Sequence, residues 1–178
     1  MPKPVMANED LKEIVRTAVF SQRVASPDIE FDIEAPDCAV MVKCDGRLIA
    51  QALGNILKNA AESIGVRNAS DGQNGDAAVM GRVRMTIGTE GGVARVSVAD
   101  NGVGLPKAER HRLTEPYMTT RAKGTGLGLA IVKKVAEEHG GALFFDDCDQ
   151  LGPTGAIVSL TLPLEAEGRE GLAVVAAE

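Results

Sequence analysis

A carboxylate, two amides and a run of alternating glycines are the residues of this chain that could do chemistry together. Gly124, Gly126 and Gly128 alternate with Thr125, Leu127 and Leu129, and apolar residues at helical spacing follow. Alternate glycines ahead of a helix let a ligand approach the backbone closely. Free N–H groups and the helix dipole there favour an anion. The pattern describes a phosphate-binding turn. Asp100-Asn101-Gly102-Val103-Gly104 opens the same stretch, and the polar interval between the two glycine-rich turns reads as a movable flap. Upstream, Gln51, Asn55, Asn59 and Glu62 are spaced at four, four and three residues, which places them on one face of a helix. Asn is a poor residue for a helix interior. Two of them one turn apart mark either a solvated face or a pair of neutral ligands aimed into a site.

The elements that must position these residues follow from periodicity. Asp45 is a plausible N-cap for a helix running to about Ile64, with Leu48 or Ile49, Ala52, Leu53, Ile56, Leu57, Ala60 and Ile64 as its core stripe. Ahead of it, Met1 to Asn8 reads as a ragged, disordered end. Leu11, Ile14, Val15, Ala18 and Val19 give a short amphipathic helix to about Ser21. Ile29 to Glu34 alternates as a half-buried strand, and Ala39 to Lys43 is a second. Val66 to Gly81, rich in Asn, Ser, Asp and Gly, reads as a flexible surface loop. Two alternating segments, around Val83 to Ile87 and Val93 to Ala99, meet at Gly91-Gly92 in a tight hairpin whose second strand ends on Asp100. From Asn101 to Thr125 little regular structure is expected beyond one short helix near Lys107 to Leu113. After Gly126 a helix then runs to His139, closed by Gly140-Gly141. A final hairpin pairs Ala142 to Asp146 with Ala156 to Leu162, and Glu165 to Glu178 is a polar, Ala-rich tail expected to be disordered.

Bulk properties narrow the function. A length of 178 residues suits one domain, here 9–164, and 44% hydrophobic with 25% charged residues is an ordinary globular balance. The net charge of -6 argues against nonspecific nucleic-acid binding. Cys38, Cys44 and Cys148 lack CxxC spacing and read as reduced thiols. No apolar run is long enough to span a membrane, and no signal-peptide pattern opens the chain.

Familiar nucleotide motifs are absent. No G-x-x-x-x-G-K-[ST] occurs, and the glycines at 124, 126 and 128 do not make G-x-G-x-x-G because position 129 is Leu. Instead, Asn55-x-x-x-Asn59-Ala60, Asp100-x-Gly102-x-Gly104 and Gly124-x-Gly126-x-Gly128-Leu129 occur in that order. Together they resemble the Bergerat ATP-binding fold shared by histidine kinases, type II topoisomerases, Hsp90-type chaperones and mismatch-repair ATPases, over about Leu11 to Pro163. Within that superfamily the chain is most similar to the catalytic and ATP-binding domain of sensor histidine kinases. Glu115-Pro116-Tyr117-Met118-Thr119-Thr120-Arg121 resembles their phenylalanine-box segment, with Tyr for the usual Phe. Asn59-Ala60-Ala61-Glu62, with Pro116 to Val132, resembles nitrogen-regulation sensors of the NtrB and NtrY type.

The resemblance implies an α/β two-layer sandwich: a mixed sheet with helices on one face and ATP held between the helical layer and a flexible lid. Asp100 would accept a hydrogen bond from the exocyclic amine of adenine, where guanine presents an oxygen and is penalised. Gly102 and Gly104 would pass close to base and ribose. Asn59 would coordinate Mg²⁺, and Asn55 would support the metal shell or a phosphate. Gly126 and Gly128, in a turn completed by Gly124, Thr125, Leu127 and Leu129, would offer N–H groups to phosphates. Arg121 and Lys123 are candidates for the terminal phosphates, with Thr119, Thr120, Tyr117 and Glu62 as further contacts. In the ATPase relatives a Glu one turn before the metal Asn activates water; here that residue is Asn55, which cannot act as a base. This favours phosphorylation of a histidine over hydrolysis. The two histidines, His111 in the flap and His139 as a helix cap, lack the phosphoacceptor context. The acceptor is therefore expected on a separate dimerisation domain, with a response regulator downstream. The chain alone is expected to be monomeric and cytoplasmic, and the full-length kinase a homodimer that can be anchored in the bacterial inner membrane. A Bergerat-type ATPase and a nucleotide-gated, non-enzymatic binding module are the alternatives.

Overall fold

The computed structural model describes residues 3–74, 79–106, 110–117 and 126–164. Its centre is a five-stranded sheet in the order β2-β4-β5-β7-β6, built from β2 (Ile29–Glu34), β4 (Gly81–Glu90), β5 (Val93–Asp100), β6 (Ala142–Asp147) and β7 (Ala156–Pro163). The sheet is mixed. β2 and β4 run parallel, and every other pairing is antiparallel. The period of two in each strand turns one face inward: Val83, Met85 and Ile87, then Ala94, Val96 and Val98, then Val158, Leu160 and Leu162. Gly91 and Gly92, at φ of 59° and 81°, make the β4–β5 hairpin, where both turn positions need left-handed backbone.

Three helices cover that face: α1 (Leu11–Ala25), α2 (Gly46–Asn74) and α3 (Gly128–Glu138). The core stripe of α2 is buried as its periodicity requires, with Ile49, Ala52, Leu53, Ile56, Leu57, Ala60 and Ile64 all at 3% exposure or less. Asp45 caps α2 by accepting from the N–H groups of Arg47 and Leu48 at 3.1 and 3.4 Å. The two-layer α/β sandwich expected from the sequence is the architecture found.

Three local expectations change. Ala7 and Asn8, expected to close a ragged end running from Met1, instead belong to strand β1 (Ala7–Asp10), which pairs antiparallel with β3 (Met41–Cys44) in a separate two-stranded sheet. The Val5 N–H also donates to Asp45 Oδ2 at 2.9 Å. The flexible loop expected from Val66 is helix through Asn74, because α2 continues ten residues past Ile64. Finally, the short helix near Lys107 is a 3₁₀ turn over Arg110–Thr114. The tail at 165–178 lies outside the described residues.

Candidate functional site

The site is organised along α2. Asn55, Asn59, Ser63 and Arg67 recur every four residues, and each step advances about 40° around the helix, so they form one slowly turning stripe. The upper half of this stripe meets α3. A side chain at Gly128 would begin 3.8 Å from Asn59 Nδ2 and 4.0 Å from Asn55 Cβ. The first and third sequence motifs are therefore in contact. Leu127 sits at the N-cap of α3 and provides no side-chain cap. The first-turn N–H groups of a helix have no partner within it, so this end can take an anion from the direction of the two amides. Asn55 itself carries a buried Nδ2 with no hydrogen-bond partner among the described residues. An orphaned amide donor of this kind costs about 1–3 kcal/mol, and a phosphate oxygen is a group that would satisfy it.

The lower half of the stripe meets the end of β5. Asp100 is 4% exposed, and its Oδ1 accepts the Gly102 N–H at 2.8 Å. Ser63 Oγ accepts the Val103 N–H at 3.1 Å. Gly102 is glycine for a steric reason: a Cβ there would lie 2.2 Å from Ser63 Oγ and 2.7 Å from the Ser63 carbonyl carbon. Thr154 Oγ1 donates to the Gly102 carbonyl at 2.8 Å. A Cβ on Gly155 would fall 2.0 Å from the Asp100 oxygen, so the turn before β7 braces the same backbone from the other side. Asn101 is buried and fully engaged. Its Oδ1 accepts from the Arg82 N–H at 2.8 Å, and its Nδ2 donates to the Met80 carbonyl at 2.9 Å.

Two further links fix the helices. His139, at the C-terminus of α3, is buried; its Nε2 accepts the Asp45 N–H at 2.9 Å while Nδ1 faces the Val135 carbonyl at 2.7 Å. It is thus a buried strut between the end of α3 and the start of α2, at the C-cap position of α3. The Val5 N–H, ahead of the Arg47 guanidinium and the α2 amides, holds the Asp45 carboxyl below its ordinary range against the opposing effect of burial. Burial, reinforced by Glu9 and Asp45, pushes the Cys44 thiol up to about 11. Cys44 is therefore an inert core thiol.

Of the sequence-derived site residues, Asn55 and Asn59 lie on α2, Asp100, Gly102 and Gly104 at the end of β5 and the turn after it, and Leu127, Gly128 and Leu129 at the start of α3. Gly104 and Gly126 hold left-handed φ angles of 79° and 65°. Glu62 is exposed, and its carboxylate stands 3.9 Å from the Lys58 ammonium. Tyr117 is 78% exposed and left-handed at φ 67°, its N–H bonded to the Gly126 carbonyl at 3.1 Å. Thr119, Thr120, Arg121, Lys123, Gly124 and Thr125 lie outside the described residues, as does the side chain of His111. Sequence reasoning missed Ser63, Arg67, Thr154 and Gly155. Ser63 and Arg67 were detectable, since they extend the four-residue spacing of the two Asn residues.

The chain carrying this carboxylate turn, amide pair and helix start matches, over residues 44–166, the family model described as "Histidine kinase-, DNA gyrase B-, and HSP90-like ATPase". The chain belongs to that family. Its relatives place it among the ATP-binding catalytic domains of sensor histidine kinases. It is 46% identical to the nitrogen regulation protein NtrY of Azorhizobium caulinodans over 168 residues, 94% of this chain and 20% of that protein. The mycobacterial sensor histidine kinase MprB superimposes with a TM-score of 0.74 at 31% identity, covering 89% of this chain and 97% of that one. Full-length ShkA, solved in complex with AMPPNP, gives 0.68 at 28% identity over 89% of this chain and 31% of its own. The chain thus spans about a fifth of the length of its NtrY relative.

Proposed function

We propose that this domain transfers the γ-phosphoryl group of ATP to a histidine on a separate dimerisation and phosphoacceptor domain, and that a response regulator receives it in turn. The observation that carries the reading is the phosphate end of the cleft. Asn55 offers a buried, unsatisfied amide donor beside the uncapped start of α3, where an ATPase relative would carry a carboxylate base. Asn55 can hold a phosphate oxygen but cannot take a proton from water. A neutral imidazole is already nucleophilic and needs no such base.

In this reading Asp100 accepts from the adenine amine, with the carboxylate oriented by the Gly102 N–H. Asn55 Nδ2 and the first N–H groups of α3 bind the phosphates, and Asn59, beside them, supplies a neutral oxygen suited to Mg²⁺. A single amide oxygen suffices for that ion, because Mg²⁺ uses few protein ligands and completes its shell with phosphate and water oxygens. When bound, the ion neutralises charge on the phosphates. Arg121 and Lys123 remain the proposed contacts to the terminal phosphates, and the segment between Tyr117 and Gly126 the proposed lid. His139, buried and bonded through both ring nitrogens, is not the acceptor.

No helix among the described residues is long and apolar enough to cross a membrane. We assign the domain to the cytoplasmic side, as part of a homodimeric kinase in the same class as the NtrY-type nitrogen sensors. The test is to mix the chain with candidate phosphoacceptor domains and γ-labelled ATP. Acid-labile phosphohistidine on the partner is the expected product. Steady hydrolysis by the chain alone, with no label transferred to any partner, would instead identify an ATPase.

A further inference from the structure

Arg67 lies on α2 two turns beyond Asn59, and none of the chemistry above uses it. Its side chain is 11% exposed. A guanidinium buried to that degree must be satisfied by hydrogen bonds, and its partners are informative. Nη1 donates to the carbonyl of Asn101, the residue after Asp100, and Nη2 donates to the carbonyl of Val79 at 2.7 Å. Nε and Nη2 also donate to Asn68 Oδ1 at 3.2 and 2.8 Å, and Asp71 Oδ2 stands 3.9 Å away, one turn along α2. Asn68 and Asp71 thus aim the fork, while the two carbonyls are what it holds. Those carbonyls lie just outside neighbouring strands, Asn101 past the end of β5 and Val79 ahead of β4. The Asn101 side chain joins the same two segments through Arg82 and Met80. A closed loop of bonds therefore runs from α2 through Arg67 to the β5 end, across to the β4 start, and back to Arg67.

We propose that Arg67 is a positioning residue for base recognition: by clamping the Asn101 carbonyl to α2 it sets where Asp100 stands, and so governs affinity and selectivity for adenine nucleotides. The proposal rests on Asp100 being the adenine reader. The planar fork matters, because two carbonyls on separate segments, one beside β5 and one beside β4, are held at once. A lysine ammonium is a point charge on a flexible stem and lacks that fixed geometry. Val79 is exposed, so water can hydrate its carbonyl once the guanidinium is gone. The fold should therefore survive substitution better than the placement of the turn does.

The experiment compares Arg67→Met, Arg67→Lys and Asp100→Asn by equilibrium binding of ATP and GTP, thermal unfolding, and phosphotransfer at saturating ATP. Arg67→Met should weaken ATP binding by about tenfold, the loss expected of one charge-assisted hydrogen bond, and narrow the ATP-over-GTP preference. Transfer at saturation should stay near wild type, because the phosphate end is untouched. Arg67→Lys should fall between the two, and it carries the test if Arg67→Met does not fold. A variant with lowered thermal stability but wild-type ATP affinity and ATP-over-GTP preference would overturn the proposal and leave Arg67 a structural residue. If Asp100→Asn also keeps the wild-type preference, the adenine reading itself has failed; if only the Arg67 variants keep it, the positioning role alone has.

Discussion

The two ends of the cleft differ in how much of their hydrogen bonding is already complete. At the Asp100 end the hydrogen bonds are dense. Gly102 N–H, Val103 N–H, Gly102 carbonyl, Asn101 carbonyl and the whole Asn101 amide have protein partners. At the Asn55 end a buried amide donor has none among the described residues, and the α3 start has no side-chain cap. In the proposed reading, one end is preorganised for the base and the other is completed by the phosphates. The division suits a kinase. The base must be selected before chemistry, by a turn that does not adapt to the wrong ring. The phosphates change charge and position during the reaction, so donors satisfied only when nucleotide is bound place their free energy on the bound state.

Gly102→Ala should break this comparison most severely. The new Cβ would overlap Ser63 and its backbone carbonyl carbon, so the turn must move. We expect nucleotide binding to fall by more than about a hundredfold, with about 1–3 kcal/mol of stability lost to overpacking. Calorimetric titration with ATP and urea unfolding together measure it, and wild-type affinity in this variant would mean the turn is not part of the site. Asp100→Asn separates recognition from stability. It should cost about a hundredfold in ATP affinity, a buried charge-assisted bond exchanged for a mismatched donor. The circular dichroism spectrum should be unchanged, and a loss of folded signal would show that Asp100 is structural instead.

Asn55→Ala probes the open end and should move stability and function in opposite directions. It removes an unsatisfied buried amide and a poor helix residue, so the nucleotide-free protein should gain about 1 kcal/mol. ATP should bind about tenfold more weakly. If both quantities fall together, Asn55 was satisfied in the free protein and the contrast between the two ends dissolves. The smallest effect concerns the foundation of α2, remote from both ends. The Asp45 carboxyl is held below its ordinary value of 3.8, so its contribution is present above that pH and is lost as pH falls through the lower folded value. Wild type should therefore exceed Asp45→Asn by about 1 kcal/mol or less at neutral pH, and the gap should close in strong acid. Denaturant titrations of both proteins at pH 7 and below pH 4 decide this; a gap that persists unchanged in acid contradicts it.

Much of this was legible beforehand, for a local reason. Strand alternation and the helical stripe of Ile49 to Ile64 are short-range patterns. They survive into the structure because each element buries the face its own period dictates. The full length of α2 was not legible. Val66 to Asn74 is rich in residues of low helix propensity, and it is helical where Arg67 is tied to the backbone flanking β4 and β5. The strand at Ala7–Asp10 was likewise hidden, because its pairing partner is Met41–Cys44, some thirty residues away in the chain.

The sequence by itself determined which chemical groups are available: a carboxylate on a glycine turn, two amides one helical turn apart, and a glycine-rich helix start, in an order that specifies the family. Only the tertiary structure decided how they are held. Ser63 reaches Val103 across 40 residues, and Arg67 reaches Asn101 across 34. Such contacts depend on where α2 passes the end of β5, and no periodicity within either segment encodes that crossing. Residue types and spacings fix what an element can offer; the packing of distant elements fixes what it meets.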